Sequence, residues 1–194
     1  MKKLTTLVMI ATSVIATAQV AILNRVDMTQ GDEPYFASAF FLPNGWQVWS
    51  FGWTNKQTAT HEVGKMFKVS PKLQFGAFLV SEPDVNRNSI QSWLTYQDKA
   101  FGGELTLYGA FRQPFGKGSR IVFSDNSSLI WRNRKGTGAG LTAFYWKTEG
   151  FQPTLRLGPA LEVPLKRGNL TLSYQPLYLE GKGNPIFRVQ VTLW

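Results

Sequence analysis

The chain contains no cysteine and a single histidine, His61. Without thiols it can form no disulfide, no thiolate metal site and no cysteine nucleophile. One histidine also excludes a multi-histidine metal centre. Charge is scarce: 17% of the 194 residues are Asp, Glu, Lys or Arg, against roughly 25% in ordinary soluble domains. Long apolar runs are missing too. Beyond the first residues no stretch reaches the ~18 consecutive apolar side chains that a membrane-spanning helix needs. What the chain has in quantity is aromatic rings and glycine, with 7 Trp, 6 Tyr, 14 Phe and 18 Gly. A hydrophobic share of 43% makes it too apolar for a disordered segment, and its length suits one domain.

The first residues read as an address. Lys2 and Lys3 precede an apolar stretch from Leu4 to Ile15, and Ala16-Thr17-Ala18 supplies the small-x-small pattern of a signal-peptidase site. Residues 1–18 are therefore expected to be a signal peptide cleaved after Ala18, leaving 19–194 as one domain. An exported chain without cysteine must draw its stability from something other than disulfides.

From Gln19 onward the pattern is of strands, with no counterpart at helical spacing. Segments of about ten residues alternate in polarity and end in clusters of Gly, Pro, Asn, Asp and Lys. In Gly103 to Arg112, Leu105, Leu107 and Phe111 oppose Glu104, Thr106, Tyr108 and Arg112. In Thr154 to Val163, Leu155, Leu157, Leu161 and Val163 oppose Arg156 and Glu162. In the last segment Phe187, Val189, Val191 and Leu193 oppose Arg188, Gln190 and Thr192. The connections alternate strictly between short and long. Pro43 to Gly45, Ser70 to Lys72, Asp98 to Gly102, Arg134 to Gly136 and Lys166 to Asn169 are tight, and longer polar links lie between them. Ser119 to Arg134 reads as one long strand, with Asp125 to Ser128 as an alternative turn. This spacing predicts about twelve antiparallel strands, with eight or ten as alternatives, and both termini at the short-turn end.

A soluble β-sandwich also alternates, so a soluble periplasmic sheet is the competing reading. Two features favour a membrane barrel. The apolar face carries large side chains on nearly every segment, as lipid contact around a closed wall requires. Aromatics also gather near segment ends, at Trp46, Trp53, Tyr96, Phe101, Trp131, Trp146, Tyr178 and Trp194, where amphipathic rings would form girdles at the two interfaces. In a bilayer an all-strand chain can pair its backbone only by closing on itself. On these residues and patterns the chain resembles a small bacterial outer-membrane β-barrel protein of the porin-like class. The resemblance implies an all-β, closed antiparallel transmembrane barrel in the outer membrane. It also implies contact with outer-membrane lipid and lipopolysaccharide, and insertion by the barrel-assembly machinery through the C-terminal strand.

If the polar faces line a lumen, they place Lys56, Lys68, Arg112, Arg120, Arg132, Arg156 and Arg188 against Glu62, Glu104 and Glu162, seven cations against three acids. Fixed guanidinium groups would favour small anionic solutes. The alternative is a barrel plugged by Arg–Glu pairs, glutamines and bulky Phe78, Trp93, Tyr108 and Leu177, since small barrels fill their interiors with side chains. A lipid-active enzyme built on His61 and Glu62 is disfavoured because neighbours on a strand point to opposite faces. The serines at 124, 127 and 128 lack a nucleophile elbow, so no catalytic residue is assigned. The Gly-rich segments around Gly116, Gly136 and Gly181 lack the strand–loop–helix context of phosphate loops. No metal or other cofactor is expected. The excess of basic residues (pI ≈ 9.9) points, in an exported chain, to lipopolysaccharide phosphates near Lys117, Arg120 and Lys182 rather than to nucleic acid.

Overall fold

The computed structural model describes residues 20–29, 32–53, 59–180 and 184–194, with 177–180 described through their backbone alone. The expected signal peptide, Lys56 and Lys182 lie outside these residues, as do the side chains of Leu177 and Tyr178. Thirteen strands follow in order: β1 (Ala21–Thr29), β2 (Tyr35–Phe41), β3 (Trp46–Trp53), β4 (Ala59–Lys68), β5 (Leu73–Glu82), β6 (Arg87–Ala100), β7 (Gly103–Pro114), β8 (Ile121–Arg132), β9 (Gly138–Thr148), β10 (Thr154–Leu165), β11 (Gly168–Gln175), β12 (Leu177–Glu180) and β13 (Ile186–Leu193).

Each strand pairs antiparallel with its neighbour in sequence from β1 to β10. The ring closes where β1 pairs with β13, from Ile22↔Leu193 to Thr29↔Ile186. β13 pairs on its other side with β11. Both β11 and β12 pair with β10. They are one stave interrupted at Pro176, which has no N–H to give to a ladder. The wall therefore has twelve staves and closes on itself through the β1–β13, β13–β11 and β11–β10 pairings, which lets spanning strands find backbone partners within the protein.

The short connections sit at the end that carries the chain termini, and the longer ones at the other. Two of them are two-residue hairpins, Phe101-Gly102 and Lys166-Arg167; in the first, both residues have positive φ (51° and 76°), the backbone that matches a two-residue hairpin to the twist of its strands. β6 runs on to Ala100 here, so this turn is shorter than the sequence pattern suggests.

Segment 119–134 holds a single strand, β8 (Ile121–Arg132), which carries an irregularity inside the predicted turn sequence. Asn126 sits at φ 74°, and pairing slips between Asp125↔Phe144 and Ser127↔Ala143. One extra residue makes a β-bulge, which shifts the strand's parity. Ile121 and Phe123 are buried on the inner face before it, and Ile130 after it. The ladder gap toward β7 is bridged by side chain: Ser127 Oγ accepts from the Tyr108 backbone N–H at 3.0 Å and shares a 2.7 Å hydrogen bond with Ser124 Oγ.

Burial runs opposite to that of a soluble domain. The largest fully buried side chains include Arg188, Gln91, Gln175 and Glu62, whereas Leu79 (58% exposed), Phe67, Leu94, Leu107 and Phe111 stand on the outside. An apolar outer wall around polar contents suits lipid outside. A sandwich would instead bury its apolar faces between two sheets.

Candidate functional site: the barrel interior

The bulge determines what crosses the lumen. Because Asn126 occupies an extra position, Asp125 and Asn126 both turn inward and reach the opposite wall. Arg25 on β1 donates from Nη1 to Asp125 Oδ2 at 2.5 Å. Arg188 on β13 lies 2.9 Å from Asp125 Oδ1 through Nη1, and the same nitrogen donates to Asn126 Oδ1. Asn126 Nδ2 donates to Gln190 Oε1 at 2.8 Å. On the far side Arg188 grips Asp27 in a two-pronged pair, Nε to Oδ1 at 2.7 Å and Nη2 to Oδ2 at 2.8 Å, and Arg25 adds a 3.1 Å contact to Asp27. Two arginines and two aspartates thus form a crossbar between the β1–β13 seam and β8. Each buried charge meets an opposite one, which offsets much of its desolvation.

A second cluster lies toward the loop end on β4 to β7. Arg112 donates to Glu62 at 2.5 Å and to Gln91 at 2.7 Å, Gln91 donates to Glu62 at 2.8 Å, and Arg112 lies 3.6 Å from Glu82. Arg87 in turn grips Glu82 through Nε (2.6 Å) and Nη2 (2.9 Å). At the turn end Arg132 pairs with Glu162 at 2.8 Å and also with Glu104.

Beside these ionic groups runs a string of rings. Phe41, Trp49, Trp93, Phe123 and Trp146 succeed one another at centroid distances of 5.6, 5.5, 6.1 and 5.1 Å, and Phe144 lies 6.4 Å beyond Trp146. Arg112 lies over Phe123 at 5.8 Å and Arg25 over Tyr35 at 5.7 Å. Between rings and crossbar a cavity of about 700 Å³ remains. Its described lining comes from β1 to β9 and β13, and none of it from β10 or β11. The crossbar therefore divides the lumen. The sector behind it is packed with Arg156, Thr142, Ser173 and Gln175, all buried.

Of the residues proposed from sequence to face inward, Arg112, Arg156, Arg188, Glu62 and Glu162 are buried in the barrel, whereas Arg132 is exposed at the turn end. Lys68 and Glu104 share the inward parity of their strands but stand exposed at the turn end. Arg120 lies on the loop before β8, exposed, with its Nε on Gln113. Three acids and two arginines escaped the sequence reading: Asp27, Glu82, Asp125, Arg25 and Arg87. Arg25 and Asp27 sit two apart on β1, a spacing that marks one face of a strand and was available in the sequence. Asp125 was hidden by the bulge. The described interior holds Arg25, Arg87, Arg112, Arg156 and Arg188 against Asp27, Glu62, Glu82, Asp125 and Glu162. Five cations against five acids leaves no surplus, where the sequence pattern suggested seven against three.

The aromatic girdle is corrected as well. Trp46 and Trp131 stand on the outer surface near the turn end, and Trp131 Nε1 donates to the Phe101 carbonyl at 2.9 Å. Tyr96 also faces outward there, its hydroxyl donating to Asp98 at 2.7 Å. Trp53 and Trp146 face the cavity instead. Trp53 packs edge-on to Tyr35 at 5.2 Å, and Trp146 stacks on Phe123. Both share the inward parity of their strands, and indole is amphipathic enough for either side. His61 is exposed on the outer face while Glu62 is buried inside, so the two share no site.

The chain matches no protein-family model and no curated protein. Its fold is shared with solved barrels. A KdgM porin superposes with a TM-score of 0.59 at 14% identity over 90% of this chain and 98% of that one. A KdgM porin in complex with disordered oligogalacturonate gives 0.59 at 16% identity, with the same coverage. A NanC porin gives 0.56 at 10% identity over 90% of this chain and 99% of the other. The likeness is one of fold, a closed antiparallel barrel.

Proposed function

We propose that this chain is an outer-membrane channel that passes small anionic solutes through its off-axis cavity. The observation that carries the reading is the inside-out barrel, whose apolar wall surrounds a cavity bordered by Arg25, Arg87 and Arg112. A guanidinium has five N–H donors, so an arginine already paired with one carboxylate can still greet a passing anion. Lys68 and Glu104 would act at the turn-end mouth, and Lys56 would add to the basic side. The shared fold with a KdgM porin solved with oligogalacturonate, an anion by its name, supports the same direction. Export through residues 1–18 would deliver the chain to the envelope. β13 would be the strand presented to the assembly machinery, and the exposed Lys117 and Arg120 at the loop end would meet lipopolysaccharide phosphates.

A second reading, a plugged surface barrel, is favoured by one observation: the crossbar already occupies the middle of the lumen. Planar-bilayer recording separates the two. The channel reading expects ion current with a reversal potential on the anion side under a salt gradient. Current indistinguishable from a protein-free membrane leaves the plugged barrel. Recovery as a soluble periplasmic protein, without heat-modifiable gel migration, removes both.

A further inference from the structure

We infer that the string of rings beside the cavity is a binding site for aromatic acids, planar rings that carry a carboxylate. The inference rests on the channel reading and specifies its solute. Phe41, Trp49, Trp93, Phe123, Phe144 and Trp146 come from β2, β3, β6, β8 and β9, and all six border the cavity. The string runs from Phe41, the last residue of β2 at the turn end, to Trp146 near the loop end of β9. It therefore offers ring faces along most of the passage. A wall built only to fill space needs apolar bulk, and leucine would supply it without the polar edge that an indole brings.

The polar edges are the second observation. Trp49 Nε1 donates to Gln47 at 3.0 Å and Trp146 Nε1 to Thr148 at 3.0 Å. Trp93, at the centre of the string, has a buried Nε1 with no partner among the described residues. An unused buried donor in a cavity wall calls for an acceptor. The guanidinium of Arg112 lies over Phe123, and Phe123 meets Trp93 edge to face at 6.1 Å and 88°. Arg112 and Trp93 both line the same ring-walled cavity, and the indole N–H, buried within that wall, has no acceptor among the described residues. Arg112 gives Nε to Gln91 and Nη2 to Glu62, but its Nη1 has only a 3.6 Å contact with Glu82 and can take a carboxylate. A flat ring attached to that carboxylate can take an offset-stacked or edge-on place among the aromatics. A saturated sugar ring would bring several hydroxyls to this stretch, where the ring faces offer no strong acceptor and Gln91 and Glu62 are already bonded to each other. Planarity with one acidic group is the better match.

The test is tryptophan fluorescence of the whole folded barrel in detergent, titrated separately with benzoate, cyclohexanecarboxylate, glucuronate and acetate. Bilayer recordings of channel block by the same compounds accompany it. Benzoate should quench saturably and bind at least tenfold more tightly than the other three. Trp93→Phe keeps a ring and removes the N–H, and should weaken benzoate several-fold. Trp131→Phe, on the outer surface, should leave its affinity unchanged. Both variants are checked by heat-modifiable migration. If glucuronate or acetate binds as tightly as benzoate, or if assembled Trp93→Phe binds benzoate like the parent, the site is refuted, while chloride current would leave the channel standing. Selective benzoate binding in a barrel that carries no current would keep the site and remove the channel.

Discussion

Replacing Asp125 by Asn tests the crossbar and the charge balance together. The carboxylate faces Arg25 at 2.5 Å and Arg188 at 2.9 Å, one oxygen to each. The amide keeps the shape and a single acceptor, so one of the two guanidiniums loses its partner at Asp125 and the interior moves to five cations against four acids. An uncompensated unit charge about 8 Å from a passing anion attracts it by ~0.5 kcal/mol at the permittivity of water and by ~2 kcal/mol at an effective value of 20. That range corresponds to about 2- to 30-fold in anion preference. Screening over ~8 Å at physiological ionic strength means the gain should shrink as salt rises. Reversal potentials in planar bilayers at low and high potassium chloride read it directly. Aspartate-to-alanine at the same site goes further, leaving a wider passage and a folding penalty of ~3–5 kcal/mol for stranded buried charge; its single-channel conductance should exceed the parent's. Heat-modifiable migration establishes that each variant has assembled. Assembled variants with the parent's selectivity and conductance would mean that solutes do not pass the crossbar.

Three further outcomes follow from the geometry. Deleting Asn126 restores regular pairing without changing which face its neighbours occupy, so the barrel should still assemble while Arg188 and Gln190 lose their Asn126 partner. Conductance should then rise, and a failure to assemble would show that the bulge is needed to shape the wall. Leu107, exposed on the outer wall mid-way along β7, should lose ~2–4 kcal/mol on replacement by Arg. Arg at the neighbouring Thr106 should cost far less, as read by urea titration of barrels folded into vesicles. Gly64 leaves no room for a methyl group, since a Cβ there would stand 2.5 Å from the Phe78 ring and 2.3 Å from the Ala77 carbonyl. Gly64→Ala should therefore lower stability by ~1–3 kcal/mol in the same titration, the usual penalty of overpacking.

The wall was legible in the sequence because its signals are local. A two-residue period marks each strand, Gly, Pro and Asn mark the turns, and alternating connection lengths mark the two ends, so the twelve staves could be counted before any coordinates. The interior was legible only in part because its signals are not local. The crossbar joins residues 100 and 161 positions apart, Arg25 to Asp125 and Asp27 to Arg188. One inserted residue on β8 decides which side chains enter it. A one-residue slip moves a whole half-strand to the other face, and Asp125-Asn126-Ser127-Ser128 reads equally well as turn or strand until its partners are known. Tryptophan gives no clearer sign, because Trp131 on the outer wall and Trp146 in the cavity have the same composition and the same position near a strand end. Counting charges by face thus overstated the cationic surplus: the acids that were missed are those that neutralise Arg25, Arg87 and Arg188. In a lumen this narrow, selectivity depends less on how many arginines point inward than on which carboxylates the bulge and the seam bring to them.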